Sequence, residues 1–306
     1  MPEANIFCII VTYNGSRWIE KCFGSLCKSA VPLKIIAIDN ASSDDTVTLI
    51  KEKFPLVNVV ESTFNLGFGH ANNIGLKMAL KENADYVFLL NQDAWIKENT
   101  IAELLKVAKD NPEYGILSPV HLDVTERKLE QQFSEILSLR NNTSFLSDAF
   151  LNVVKSLYEI EYVHAAAWFL TRGCIETTGG FDPLFYHYGE DDDYLKRANY
   201  FKFKIGLVPS ALIVHDTVYN TWEKVEWNEN RNMVIEYQQL KKMSPHFRTN
   251  LLSYLKLRFD ELTTLILFRK FKKFKFRLKI VLKTLRKLKA IKKSFRDSFT
   301  HQAFLN

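Results

Sequence analysis

The chain has 306 residues, 47% of them hydrophobic and 25% charged, which supports one large globular domain with an appendage or two small domains and excludes a disordered chain. No apolar run approaches the ~20 residues that a membrane-spanning helix needs, and residues 6–11 lack the flanks of a secretory signal. The four cysteines have no disulfide-type or metal-ligand spacing, so we expect free thiols in a reducing, cytoplasmic compartment.

The net charge of +6 is unevenly distributed along the chain. Residues 251–306 contain 16 Lys and Arg against three acidic residues, a net charge of +13. The preceding residues contain 25 basic and 32 acidic side chains, a net charge of −7. An acidic body with one cationic region argues against a dispersed nucleic-acid surface and favours a single basic surface.

The first ninety residues alternate between apolar runs and amphipathic segments. Four apolar runs that end in polar residues are predicted to be strands, at residues 6–11, 33–38, 57–60 and 86–90. Three segments with helical spacing follow the first three strands, at residues 18–26, 47–54 and 71–78. Strands of this kind form a mostly parallel sheet covered by helices on both faces, so the fold class is α/β.

Beyond residue 90 the pattern is less regular. Residues 122–162 read as an irregular insert that contains a helix at 146–157. Residues 228–243 predict a helix that ends before Pro245, after which the chain becomes basic. We therefore divide the chain into a domain of residues 1–245 and a basic helical region of residues 246–306.

Polar residues follow three of the predicted strands. Ligands of open α/β sheets bind at the carboxyl ends of the strands, where this chain places Thr12, Tyr13, Asn14, Asp39, Asn40, Asn91 and Asp93. No Gly-rich phosphate motif follows the first strand, which disfavours a dinucleotide-binding Rossmann domain and a P-loop NTPase. Asp93 either binds Mg²⁺ or Mn²⁺ beside a diphosphate or caps the next turn. Asp39 either accepts hydrogen bonds from a nucleoside or closes a turn with the following serines.

Four consecutive carboxylates, residues 190–193, follow an aromatic-rich stretch. Crowded carboxylates have raised or split pKa values unless cations or hydrogen-bond donors separate them, which makes one of them a candidate general base. The alternative is that these acids only begin a surface helix, because the helix dipole favours acids there.

The order of these motifs resembles a known family. The motifs are IIVTYNG, AIDNASSDDT, NLGFGHANNIGL, FLLNQDAWI, GGFDPLFYHYGEDDDYLKR and VPSALIVHD. They resemble the family 2 glycosyltransferases of the GT-A fold, in the branch that includes bacterial rhamnosyltransferases. The resemblance covers about residues 5–235 and does not reach the basic region.

This resemblance implies inverting transfer of a sugar from a UDP-, dTDP- or GDP-linked donor to a growing, lipid-linked glycan of the bacterial surface. It also implies a divalent cation, Mg²⁺ or Mn²⁺. A non-catalytic sugar-nucleotide-binding or scaffold protein of the same fold is the alternative.

The resemblance also implies roles for individual residues on the donor side. Thr12, Tyr13 and Asp39 stand where the family holds the nucleotide, and Asn72 or Asn73 stands near the phosphates. Asp93 occupies the last position of the DxD-like motif, the usual metal ligand. Asn91 replaces the first Asp of that motif, so fewer charges hold the metal.

On the acceptor side, Asp191 matches the catalytic base of the family's Glu-Asp pair, although Asp192 and Asp193 leave the register open by one residue. His215 resembles a histidine that holds metal or phosphate in some relatives, or else is structural. Other candidates come from residue type alone. Arg172 and Arg231 either bind phosphate or pair with the acidic cluster, and Trp168 or Tyr186 stacks on a sugar. Gly179 and Gly180 either form a tight turn near the acceptor or belong to a simple loop.

The basic region contains an amphipathic pattern. Apolar residues recur at steps of three and four, with Lys and Arg between them, at Phe271, Phe274, Leu278, Val281, Leu285 and Leu288. This pattern predicts a helix on an anionic membrane surface, separate from the cleft, so that the protein is peripheral to the inner face of the cell membrane. The alternatives are a helix packed on the first domain or on a second subunit in a homodimer. Nucleic-acid binding is disfavoured because base-reading motifs are lacking.

Overall fold

The computed structural model describes residues 4–139, 143–217, 228–244 and 246–305. Its strands are β1 (Ile6–Thr12), β2 (Lys34–Asp39), β3 (Asn58–Glu61), β4 (Tyr86–Asn91), β5 (Ala94–Ile96), β6 (Tyr114–Leu122), β7 (Tyr158–Ile160), β8 (Ala167–Thr171) and β9 (Lys204–His215). Its helices are α1 (Ser16–Leu26), α2 (Thr46–Lys53), α3 (Phe68–Lys81), α4 (Thr100–Asp110), α5 (Gln131–Leu139), α6 (Phe145–Phe150), α7 (Arg172–Thr178), α8 (Glu190–Tyr200), α9 (Glu229–Leu240), α10 (Phe247–Leu267), α11 (Phe271–Arg286) and α12 (Leu288–Asp297).

These strands form one sheet in the order β3-β2-β1-β4-β8-β6-β9-β5, with β7 also paired to β9. Strands β1 to β4 are parallel to one another, as the alternating pattern predicts. Strand β8 runs antiparallel to both β4 and β6, because the chain begins β8 beside the carboxyl end of β4. The sheet is therefore parallel in its first four strands and mixed in the remainder.

Helices cover both faces of the sheet. Along β1, Phe7 and Ile9 enter one apolar cluster with residues of α3, α7 and α8. The alternate residues Ile6, Cys8 and Ile10 enter a second cluster with residues of α1, α2 and α4. Burying a large aliphatic side chain contributes about 1.5–3 kcal/mol to the stability of the fold. Because both faces of the sheet are buried, residues 6–11 of β1 are all apolar.

Part of the irregular insert differs from its prediction. Helix α6 ends at Phe150, and the following residues turn toward β7. Asn152 has a positive φ of 57°, a conformation that a helix does not accommodate. The prediction of a helix over residues 146–157 is therefore wrong after Phe150.

The basic region packs against the rest of the protein. A third apolar cluster joins Phe185, which precedes α8, to residues of α9, α10 and α12. In the predicted stripe, Val281 of α11 is buried and Phe271 is exposed, whereas Phe274, Leu278 and Leu285 of α11 and Leu288 at the start of α12 are half-buried. Most of the stripe thus faces protein, which is the packing alternative that the sequence left open. Pro245, at the predicted domain boundary, lies outside the described residues.

A buried ionic network fixes the C-terminal helices to the start of α8. Lys241 Nζ contacts Asp193 Oδ1 at 2.6 Å and also binds Asp182, which accepts a hydrogen bond from Ser294 of α12. Arg197 Nε donates to Asp193 Oδ2 at 2.9 Å. Buried charges are retained when they are paired in this way, so the network ties three separate segments together.

Two glycines accommodate the end of the chain. The backbone N–H of Gly180 donates to the carbonyl of Ala303 at 2.8 Å. Gly179 has a φ of +86°, and a Cβ there would lie 2.0 Å from the same carbonyl oxygen. These glycines therefore make room for the C-terminal segment, whereas the sequence had assigned them to the acceptor.

Candidate active site

Three strand ends meet at one edge of the sheet. Thr12 and Asp39 are register partners of β1 and β2, and Asn91 is paired with the preceding residue of β1. Thr12 Oγ1 donates a hydrogen bond of 2.8 Å to Asp39 Oδ1. Ser42 donates to both Asp39 oxygens, through its backbone N–H at 2.8 Å and its hydroxyl at 2.6 Å. Thr12 and Asp39 are buried, so they form the floor beneath this edge.

Above this floor lies a cleft of about 540 Å³. Its walls include Tyr13, Asn91, Gln92 and Asp93 from the strand ends, and Tyr186, His187, Tyr188 and Arg231 from the opposite side. Both amide atoms of the Gln92 side chain bind the backbone of Tyr13, at 2.9 and 3.0 Å. Gln92 thus fixes the backbone of Tyr13. The motif had indicated only Asn91 and Asp93, the residues on either side of Gln92.

Gly67 allows the two walls of the cleft to approach each other. Its φ is +80°, and a Cβ at this position would lie 2.3 Å from the carbonyl oxygen of Tyr186. The hydroxyl of Tyr186 donates to the backbone carbonyl of Asn65 at 3.1 Å. A residue larger than glycine would therefore displace the wall that carries Tyr186.

Asp93 and His215, the two candidate metal ligands, lie side by side. Strand β5 pairs with the end of β9 so that Ala94 is opposite His215. His215 Nε2 is 3.3 Å from Asp93 Oδ1. One carboxylate and one imidazole suit a divalent cation whose other ligands come from a bound diphosphate. Within the described residues, no three His, Cys, Asp or Glu side chains form a metal site by themselves.

A second pocket, of about 570 Å³, adjoins the cleft. Its walls include Tyr162, Asp191 and Asp192, and also Lys273, Phe276 and Arg277 from α11. Tyr188 and Arg231 line both cavities, and the Arg231 guanidinium lies 4.7 Å from the centre of the Tyr188 ring. Tyr188 has a φ of 68°, which is rare for a bulky residue and typical of functional sites.

The four consecutive acids have different surroundings. Asp191 Oδ2 accepts a hydrogen bond of 3.0 Å from the Tyr162 hydroxyl, and Oδ1 accepts one of 2.7 Å from the Asp192 backbone. Asp192 forms an ion pair with Lys196. Asp193 is buried in the ionic network; burial alone would raise its pKa, but the charges of Lys241 and then Arg197 lower it. Asp191 lines the second pocket, and among the described ion pairs it has no lysine or arginine partner, in contrast to Asp192 and Asp193.

Glu190 differs from all three aspartates. Burial, and then the charge of Asp191, raise the pKa of Glu190 to about 8. Its Oε2 atom has no hydrogen-bond partner within the part of the chain that the structure describes. Glu190 therefore holds its proton near neutral pH.

A family model for glycosyl transferase family 2 matches residues 7–172, more than half of the chain. The chain belongs to glycosyl transferase family 2. This confirms the resemblance that the motifs carry, and it makes the protein a sugar-transferring enzyme.

Curated relatives of this glycosyltransferase include rhamnosyltransferases. The N-acetylglucosaminyl-diphospho-decaprenol L-rhamnosyltransferase of Mycobacterium tuberculosis is 24% identical over 235 residues, which cover 70% of this chain and 76% of the relative. The O-antigen chain rhamnosyltransferase RfbN of Salmonella typhimurium is 27% identical over 230 residues, covering 71% and 68%. The predicted branch is therefore confirmed.

Solved structures show the same fold. The mannosyltransferase PcManGT from Pyrobaculum calidifontis, in complex with GDP-Man and Mn²⁺, has a TM-score of 0.58 at 20% identity and covers 99% of this chain and 85% of its own. TarS from S. aureus, in complex with UDP, has a TM-score of 0.55 at 16% identity, covering 84% and 72%. The glycosyltransferase thus has the predicted GT-A fold.

Several predicted site residues lie away from both cavities of the glycosyltransferase. Arg172 follows β8 at the amino end of β4, the opposite edge of the sheet, where it binds Glu176 at 2.7 Å. It was misplaced because β8 runs antiparallel. Trp168 is fully buried in the core, so it does not stack on a sugar.

Both asparagines of α3 have structural partners. Asn72 donates to the Phe68 carbonyl of its own helix at 3.0 Å. The Asn73 amide binds the backbone N–H and carbonyl of Phe181, at 2.7 and 2.8 Å, and the carbonyl of Phe304 at 3.2 Å. Neither residue lines the donor-side cleft. Asn73 instead fastens α3 to the segment that leads to α8.

Proposed function

We propose that this enzyme transfers a sugar, with inversion, from a nucleoside diphosphate donor in the cleft to a hydroxyl group in the second pocket. The observation that carries this proposal is the arrangement of two cavities that share Tyr188 and Arg231, with Asp93 in one and Asp191 in the other. Single displacement needs a base on the acceptor side and positive charge on the leaving-group side.

Asp191 is the proposed catalytic base. Its carboxylate lies in the first turn of α8, where the helix dipole stabilises negative charge, and the Tyr162 hydroxyl orients one of its oxygens. The acceptor hydroxyl gives its proton to this carboxylate while its oxygen attacks the anomeric carbon from the side opposite the diphosphate. The proton therefore moves to Asp191, and the bonding electrons leave with the nucleoside diphosphate.

On the donor side, Tyr13 and Asn91 line the cleft, and Thr12 and Asp39 support them from beneath. Asp93 and His215 are the proposed holders of Mg²⁺ or Mn²⁺, which supplies the charge that stabilises the departing diphosphate. Arg231 lines both cavities, so it is the cation proposed to lie between donor and acceptor. Solved structures with UDP and with GDP-Man support a nucleotide-sugar donor of this class.

We further propose a lipid-linked glycan as the acceptor and the anionic inner face of the cell membrane as the place of action. The name of the Mycobacterium tuberculosis relative, which specifies a diphospho-decaprenol compound, supports this acceptor class. Within the described residues, no helix combines the length and hydropathy needed to cross a bilayer. The basic region supplies the charge that a peripheral contact requires.

A thermal-shift screen of UDP-, dTDP- and GDP-sugars, each with and without Mn²⁺, tests the donor side. A ligand of the native state raises the melting temperature, and we expect one donor to do so more strongly with the metal. Incubating that donor with a lipid-linked glycan should then give a product of inverted anomeric configuration by NMR. Retention would reject single displacement, and binding without turnover would favour the non-catalytic alternative.

A further inference from the structure

Helix α10 is apolar on two sides. Its inner side carries Tyr254 and Leu265, which are buried against the protein. A second series recurs at steps of three and four on another side of the helix, at Leu252, Leu255, Phe259, Leu262 and Ile266. Four of these five side chains are exposed, and Phe259 is 68% exposed. We call these five residues the outer stripe.

The outer stripe continues into the turn between α10 and α11. Leu267 and Phe268 are 80% and 71% exposed, and Phe271 is exposed at the start of α11. We call residues 266–271 the hairpin tip. Ile266 and Leu267 end α10 and Phe268 begins the turn, and three consecutive large apolar side chains are unusual on a surface that faces water.

The backbone of the hairpin tip satisfies its own hydrogen bonds. Arg269 has a φ of 53° and donates to the Ile266 carbonyl at 2.9 Å, and Lys270 donates to the Leu265 carbonyl at 2.8 Å. These two bonds form the Schellman arrangement that closes a helix. Because these carbonyls have partners, the turn can enter an apolar environment without the free-energy penalty of burying them unpaired.

The hairpin tip lies in a strongly basic part of the chain. Residues 262–296 contain 14 Lys and Arg and neither Asp nor Glu. Arg269, Lys270, Lys272 and Lys275 are exposed close to the apolar tip. Apolar side chains among cations match the interface of an anionic bilayer, where the rings enter the lipid and the cations meet phosphate groups. A second copy of the chain would instead bring like charges together.

Helix α11 connects the hairpin tip to the acceptor pocket. Lys273, Phe276 and Arg277, which line the pocket with Asp191, lie within the first two turns after Phe271. At 1.5 Å per residue, Phe276 is roughly 8 Å along the helix from Phe271. The wall of the pocket that α11 forms therefore lies close to the hairpin tip.

We propose that the outer stripe and the hairpin tip insert into the interface of an anionic membrane and hold the acceptor pocket at its surface. We infer the membrane contact from the exposed residues alone. That the contact serves transfer to a lipid-linked acceptor rests on the function proposed above. This surface replaces the inward-facing stripe of α11 as the membrane-binding element.

Sedimentation with vesicles of equal parts phosphatidylglycerol and phosphatidylcholine tests the contact. The double variant Leu267→Ser, Phe268→Ser should partition roughly 10²-fold more weakly than wild type, at about tenfold for each lost side chain. Arg269→Gln with Lys270→Gln should weaken binding less and reduce its salt dependence. The matched control is Leu257→Ser, because Leu257 is also exposed on α10 but points about 180° away from the centre of the outer stripe. It should bind as wild type does.

Transfer assays separate this proposal from the proposed function. The tip variant should keep its melting temperature and its turnover with a soluble glycan acceptor, and lose turnover with a vesicle-embedded acceptor. Equal vesicle binding by wild type and the tip variant overturns the membrane contact. So does a wild-type dimer that becomes a monomer when Phe259 is changed to Ser. Absence of any turnover in wild type with intact vesicle binding rejects the enzymatic function alone.

Discussion

Replacing Asp191 by Asn removes the proposed proton acceptor and leaves its shape unchanged. The amide oxygen can still accept the hydrogen bond that Tyr162 donates, and only the bond from the Asp192 N–H in the first turn of α8 is lost, so we expect a melting temperature within a few degrees of that of wild type. Loss of general-base catalysis typically lowers the rate 10²–10⁴-fold, or about 3–5 kcal/mol in the activation free energy. Donor affinity should change by no more than a few fold, because Asp191 lines the acceptor pocket.

Asp193→Asn provides the contrast two residues away. Asp193 is the shared counter-charge of Arg197 and Lys241 in a buried network. Removing one partner of a buried ion pair lowers the free energy of unfolding by about 3–5 kcal/mol. We expect the lower end of that range, because Lys241 retains Asp182. Asp193→Asn should therefore lose stability first, and activity as a consequence.

The two effects are separated by measuring kcat, donor KM and urea unfolding for both variants and for Asp192→Asn. We expect low kcat with wild-type stability only for Asp191→Asn. Full activity of that variant would refute the assignment of the base. A stable but inactive Asp192→Asn or Asp193→Asn would show that the base lies at another position in the run.

Three further predictions follow from the contacts. Asp93→Ala should lower transfer ~10²-fold or more and weaken Mn²⁺-dependent nucleotide binding in calorimetry; unchanged metal dependence would remove Asp93 from the metal site. Because the pKa of Glu190 is raised from 4.5 to about 8, the free energy of unfolding should fall as the pH rises between these values. Glu190→Gln should remove that fall, so its melting temperature should exceed that of wild type at pH 8 and equal it below the ordinary glutamate pKa; parallel pH profiles would contradict the raised pKa. Deleting residues 251–306 exposes the cluster around Phe185 and removes one wall of the acceptor pocket. The melting temperature and the transfer to a soluble acceptor should therefore both fall. A stable and active truncated protein would show that the first domain folds and works without the basic region.

The sequence by itself determined the parallel half of the sheet and the positions of its polar ends. The apolar runs of β1, β2 and β4 are uninterrupted, which burial on both faces explains, and each of these strands ends at a polar residue. Thr12, Asp39 and Asn91 therefore came together as predicted, since parallel strands end at one edge. The motifs indicated Asp93 and His215 as separate candidate metal ligands, and the pairing of β5 with β9 brings them into contact.

Only the tertiary structure decided features that depend on strand direction and long-range packing. Arg172 looked like a phosphate ligand until the antiparallel course of β8 carried it to the opposite edge. The Phe and Leu pattern of α11 is the same for a helix packed on protein and a helix packed on lipid, because periodicity reports an apolar face and not its partner. Burial of Val281 settled that choice for α11, and exposure of Phe259 and Phe268 marked a different apolar surface.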